Sequence, residues 1–92
     1  MDNKGKLEEL RKELDNIDDK ILFYFGKRME IIDQISSIKK EGNIALTDKE
    51  REELIINRAL SVTHPKLKDE TILFMRSLIS ISKLRQIKLH KE

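Results

Sequence analysis

The chain has no cysteine and no tryptophan, two histidines, one proline and three glycines among 92 residues. Without cysteine there is no disulfide and no thiolate metal ligand. His64 stands before Pro65 in a turn, and His90 lies in an end expected to fray; two such histidines make no metal site. No Gly-rich phosphate loop and no Ser-His-Asp arrangement can be found. Aromatics are 4% of the chain, too few for a stacking platform on a basic face. No apolar run approaches the ~18 residues that a membrane span needs. The segment Met1 to Leu22 is densely charged and holds no apolar stretch of the secretory type, which makes the cytoplasm the expected compartment. With few breakers, only Gly42 and Pro65 interrupt the chain strongly after residue 26.

What is present is charge and aliphatic residues. Asp, Glu, Lys and Arg make up 39% of the chain, 19 basic against 17 acidic, for a net +2. That balance is too even to mark a nucleic-acid binder. A chain this short forms one domain at most, here residues 1–92, and oligomerisation is a common remedy for so small a core. The composition is that of Lys-, Glu-, Leu- and Ile-rich helices. The pattern predicts an all-α chain of three helices, about residues 6–40, 48–60 and 67–90. Gly42-Asn43 ends the first with a residue that tolerates positive φ. Thr47 is expected as N-cap of the second, with Glu50 completing a capping box. The third has Ile72, Met75, Leu78, Ile79, Leu84 and Leu89 as buried candidates.

The first helix carries a heptad seam interrupted by cations. Leu7, Leu14, Ile21 and Ile35 share one seam position with Arg28. Leu10, Ile17, Tyr24, Ile31 and Ile38 fill the other, and Lys39 returns to the first. A helix from Lys6 to Lys40 is about 50 Å long at ~1.5 Å per residue, whereas a compact domain of ~100 residues has a radius of gyration near ~13 Å. The remaining residues cannot cover such a stripe, so a second copy of the chain is expected to do it. Cations buried on that seam cost several kcal/mol each unless an anion meets them. Together these features point to an anionic ligand inside an intertwined helical homodimer. Gly26, within this helix, is either a point of close backbone approach or a neutral surface position.

Polar residues also interrupt apolar faces elsewhere. Asp48, Arg51, Glu52 and Ile55 lie on one face of the second helix, which Ile55 and Ala59 turn inward. In the third helix Met75, Leu78, Ser82, Gln86 and Leu89 form one stripe, with Ser82 and Gln86 where apolar residues would be expected. Taken singly, each of these is an ordinary solvated or ion-paired side chain in a chain so rich in charge.

Taken in order, Arg11, Arg28, Lys39, Asp48, Arg51-Glu52, Ser82 and Gln86 resemble the all-helical chorismate mutases (the AroQ class). In that family a first helix opens with a segment like Leu10-Arg11-Lys12-Glu13-Leu14-Asp15-Asn16-Ile17-Asp18. It continues through one like Leu22-Phe23-Tyr24-Phe25-Gly26-Lys27-Arg28-Met29 and reaches a lysine like Lys39. An Asp-x-x-Arg-Glu follows, here Asp48 to Glu52, and the third helix ends in Ser-x-x-x-Gln, here Ser82 to Gln86. The resemblance spans residues 7–87. One departure is the loop Asn43-Ile44-Ala45-Leu46, which lacks the proline many members carry before the aspartate. A one-residue shift in the third helix would replace Ser82 and Gln86 by Ile81 and Arg85, which fits the family less well.

The resemblance implies an isomerase of phenylalanine and tyrosine biosynthesis that rearranges chorismate to prephenate. Such a [3,3] rearrangement needs no nucleophile, proton transfer or cofactor. It needs the substrate confined in its compact conformer and donors aimed at the ether oxygen, where negative charge grows. By resemblance, Arg28 and the partner's Arg11 grip carboxylates, Lys39 and Gln86 donate to the ether oxygen, and Ser82 binds a carboxylate. Glu52, with the backbone near Asp48, holds the ring hydroxyl, and Arg51 orders Glu52 and Asp48. An amide at Gln86 donates at any pH near neutrality, which implies a rate that changes little with pH. Two other readings stand beside this one. An isochorismate-pyruvate lyase shares the fold and differs in its product. A non-catalytic helical adaptor would leave chorismate untouched.

Overall fold

A computed structural model describes residues 2–91. The chain is all-α: α1 spans Asn3–Glu41, α2 Lys49–Val62 and α3 Lys68–His90, with a single 3₁₀ turn, Pro65–Leu67, leading into α3. Among the described residues there is no strand, and no helix is long and apolar enough to cross a membrane. Two compact units divide the chain, Met1–Ile31 and Ile32–Glu92.

The first unit is helical from Asn3 onward. Asp2 caps it: its Oδ1 accepts the Gly5 amide at 2.7 Å, and its carbonyl accepts the Lys6 amide at 3.0 Å. A carboxylate cap satisfies donors that the first turn leaves unpaired. The expected seam is present but uncovered, with Leu7, Leu10, Leu14, Ile17 and Ile21 all 45–60% exposed. Phe23 and Tyr24 meet edge to face at 5.4 Å, and the Lys27 ammonium stands 5.6 Å from the Phe23 ring centre. At Gly26 an added Cβ would meet nothing within 4 Å. Within one chain, therefore, the glycine answers no packing need.

In the second unit α1 ends in a Schellman arrangement. Ile44 N donates to Lys39 O at 2.8 Å and Asn43 N to Lys40 O at 3.4 Å. Asn43, not Gly42, takes the left-handed conformation, with φ 52°. Gly42 serves differently: a Cβ there would lie 3.1 Å from Ile44 Cδ1 and 3.3 Å from Ile38 O. Glycine thus lets Ile44 fold back on the helix end.

The start of α2 differs from expectation. Asp48, not Thr47, is the N-cap, its Oδ1 accepting Arg51 N at 3.0 Å. An aspartate directly before the first helical residue takes the cap, so the Thr47–Glu50 capping box does not form. The helix also runs two residues past Leu60, to Val62. Thr63 closes it, with both its amide and its hydroxyl donating to Ala59 O, and the Thr71 hydroxyl donates to Thr63 Oγ1 at 3.1 Å. His64 Nδ1 accepts the Lys66 amide at 3.1 Å, which starts the 3₁₀ turn with Pro65 in its first position.

The core of this unit is small and largely polar: Ile32 and Ile79 are buried with Ser36, Thr71, Ser82 and Gln86. Leu84, expected inside, is 66% exposed. The cause is that α3 carries apolar residues on more than one face, so periodicity did not single out the buried one. His90 does not fray: its Nε2 lies 3.0 Å from Ser36 O. Farther up α3, Arg85 forms a two-pronged pair with Asp33 of α1, at 2.8 and 2.9 Å.

The Arg85 hydrogen bonds hold the Asp33 carboxyl below its ordinary pKa; they outweigh the opposing effect of burial, and the guanidinium charge adds a lesser lowering. Both side chains are over a third exposed, so solvent screens the pair. A depressed carboxyl pKa stabilises the fold above the unfolded value, near ~3.9, and that contribution disappears as pH falls through the folded value. Asp33→Asn should therefore unfold at lower urea than wild type at pH 7. The two urea midpoints should converge as pH drops below ~4. A gap that stayed constant with pH would show that the pair contributes nothing through its charge.

Candidate functional site

The expected site residues fall in both units. In the first, Arg11 is exposed and its Nη1 lies 3.3 Å from Glu8 Oε1 one turn away, a surface pair of small energetic weight. Arg28 is half-buried. Its partial burial sets it apart from most of the neighbouring basic residues on α1, which are exposed.

In the second unit Lys39 is half-buried and donates to Leu46 O at 3.0 Å. The lysine thereby ties the end of α1 to the loop that delivers Asp48. Asp48 and Arg51 are exposed, joined through the cap hydrogen bond. One residue on, Glu52 turns inward and is half-buried. Its Oε2 is buried and lies 2.8 Å from the Lys83 ammonium, an ion pair that joins α2 to α3.

Ser82 and Gln86 are each 5% exposed on the inner face of α3. Ile81, by contrast, is exposed and Arg85 half-buried. Ser82 Oγ donates to Leu78 O at 2.8 Å. Gln86 Nε2 donates to Ser82 O at a long 3.3 Å, while Gln86 Oε1 is buried without a partner. The amide nitrogen must face Ser82 O, since two carbonyl oxygens would repel. Glu52 and Lys83 thus meet across α2 and α3, with Lys83 next to the buried Ser82 in α3 and Gln86 one turn beyond it.

Lys83 is absent from the motifs that drew attention to its neighbours. In sequence it is one basic residue among 19. Only the packing of α3 on α2 reveals that it meets Glu52.

A buried, unfilled acceptor costs ~1–3 kcal/mol, so Gln86 is expensive where it stands. Gln86→Met, of similar length and apolar, should leave the protein as stable as wild type or more stable by about 1 kcal/mol. Urea denaturation of the two proteins checks this. A loss of 2 kcal/mol or more, on the scale of an ordinary ~2–5 kcal/mol core truncation, would show that the amide is satisfied and structural.

Comparison with known proteins follows the same residues. Residues 10–87 match the family model described as chorismate mutase type II, a span that includes every residue named above from Arg11 to Gln86. The chorismate mutase of Methanocaldococcus jannaschii is 36% identical over 67 residues, which are 73% of this chain and 68% of that protein. A bifunctional chorismate mutase/prephenate dehydratase of Aquifex aeolicus is 38% identical over 55 residues, 60% of this chain but 15% of the relative. No solved structure matches the chain. The match across most of the chain, on helices in the expected order, shows that it belongs to the type II chorismate mutase family.

Proposed function

We propose that this chain is a chorismate mutase, acting in aromatic amino acid biosynthesis as a homodimer with two equivalent sites. The observation that carries the reading is the family match over residues 10–87. The reaction breaks the ether C–O bond of chorismate and forms a new C–C bond in the same molecule, so it takes neither a cofactor nor a co-substrate. The work of the protein is then to confine and to stabilise charge.

The polar groups suit that task. Arg28, with Arg11 from the partner, offers guanidinium forks to the two carboxylates, and the Ser82 hydroxyl adds a hydrogen bond to one of them. Lys39 donates to the ether oxygen and to a carboxylate, leaving the loop carbonyl it holds in the free protein. Gln86 supplies the second donor to the ether oxygen from its amide nitrogen. Glu52 accepts the ring hydroxyl. The buried Glu52 Oε2 supports this last role: beside the Lys83 ammonium it has a second lone pair for a hydroxyl. Arg51 and Asp48 fix the start of α2, from which Glu52 projects.

The dimer has its own support. The α1 seam is exposed over most of its length, and a second copy of α1 is the surface whose apolar repeat matches it. The compartment we propose is the cytoplasm, in keeping with a chain without cysteine.

The direct test is to follow chorismate by ultraviolet absorbance on mixing with the protein and to identify the product. Prephenate as sole product supports the reading; no turnover of chorismate, or pyruvate with a hydroxybenzoate released in preference from isochorismate in a parallel assay, overturns it. Lys39→Ala should then lose about 10²–10³ in turnover with its helicity unchanged, the scale for one donor to developing charge. Retention of most of the turnover would remove Lys39 from the mechanism. Mixing inactive Arg11→Ala and Arg28→Ala chains should restore activity, since a heterodimer regains one intact site. No recovery after subunit exchange would place both arginines in sites built from a single chain.

A further inference from the structure

Glu52 faces a cation that belongs to none of the recognised motifs. The Lys83 ammonium lies 2.8 Å from Glu52 Oε2, with the Lys83 side chain 32% and the Glu52 side chain 26% exposed. We infer that Lys83 is a positioning residue of the substrate site, one that holds and neutralises the Glu52 carboxylate that receives the substrate's ring hydroxyl. The inference rests on the chorismate reading above and adds a residue to it.

Three features carry it. The first is burial. An exposed ion pair is worth little, but Glu52 Oε2 is itself buried, and a buried carboxylate needs a countercharge. The second is geometry. The Lys83 ammonium meets Oε2 at 2.8 Å, and an ionised carboxylate oxygen has a second lone pair to offer. A hydroxyl can therefore bind the same oxygen without displacing the lysine. The third is placement. Lys83 follows Ser82 and precedes Gln86 by three residues on α3, so it flanks the buried polar pair while reaching across to α2.

Electrostatics gives the arrangement a purpose. A bare carboxylate in a site for a dianion would repel the ligand it is meant to hold. Paired with Lys83, Glu52 presents an acceptor oxygen with little net charge. The hold on the hydroxyl is made in the ground state and the transition state alike, so its loss should fall mainly on KM.

The test is steady-state kinetics on the full chain for wild type, Lys83→Met, Lys83→Arg, Glu52→Gln and the double variant Lys83→Met/Glu52→Gln. Lys83→Met keeps the apolar stem and removes the charge; Lys83→Gln takes its place if that protein does not fold. The expected result is a loss in kcat/KM of about 10- to 100-fold, carried mainly by KM. Lys83→Arg should recover most of it. In the Glu52→Gln background the lysine change should add little, because its partner is already gone. An unchanged kcat/KM with only a lower urea midpoint would make the pair structural and overturn the inference. So would an equal loss with Glu52 already replaced, which would show that Lys83 does not act through it. In both of those cases wild type still turns over chorismate and the parent reading stands. A wild type without turnover overturns both.

Discussion

The apolar seam of α1 is the constraint on which the rest depends. From Leu7 to Ile21 the seam residues remain about half exposed, and each large aliphatic side chain gains ~1.5–3 kcal/mol when fully buried. A surface of that kind is not left in water by a stable protein. Phe74 and Leu84 on α3 are exposed as well. The second unit buries only Ile32 and Ile79 among its large apolar side chains, so its own core is slight. Stability and site formation are therefore linked through the proposed dimer, as in chains with no stable folded monomer.

Within that frame the polar residues follow one logic. Arg28 and Lys39 are half-buried cations, while Ser82 and Gln86 are buried polar groups in a core too small to spare them. Such groups weaken a fold unless partners meet them. Under the proposed function, a substrate with two carboxylates, a hydroxyl and an ether oxygen would add partners to those the protein supplies. Among the described residues, Gln86 Oε1 is buried without a protein donor, while Glu52 Oε2 is met by Lys83. Lys39 is already met within the protein: it donates to Leu46 O and so ties the loop to the end of α1.

Much of this was legible in the residues, and the exceptions have physical causes. Helix bounds came within a few residues because breakers are scarce and Gly42-Asn43 and Pro65 punctuate the chain. Ser82 and Gln86 stood out since they break an apolar stripe, and both are buried. The cap of α2 was misassigned because Thr47 and Asp48 are both good capping residues, and only backbone geometry decides between them. Leu84 was misplaced because α3 is apolar on several faces. The ties of His90 to Ser36 O and of Arg85 to Asp33 join residues more than fifty positions apart, and no local pattern encodes them. Lys83 was hidden for the same reason.

The most direct test of the central claim is sedimentation equilibrium over a wide range of protein concentration, with helicity and chorismate turnover measured on the same samples. The account predicts a dimer at micromolar concentration. On dilution, dissociation, loss of helicity and loss of turnover should coincide. A folded monomer that retains full activity would contradict it, because neither the exposed seam of α1 nor a site that draws Arg11 from a partner would then have its explanation.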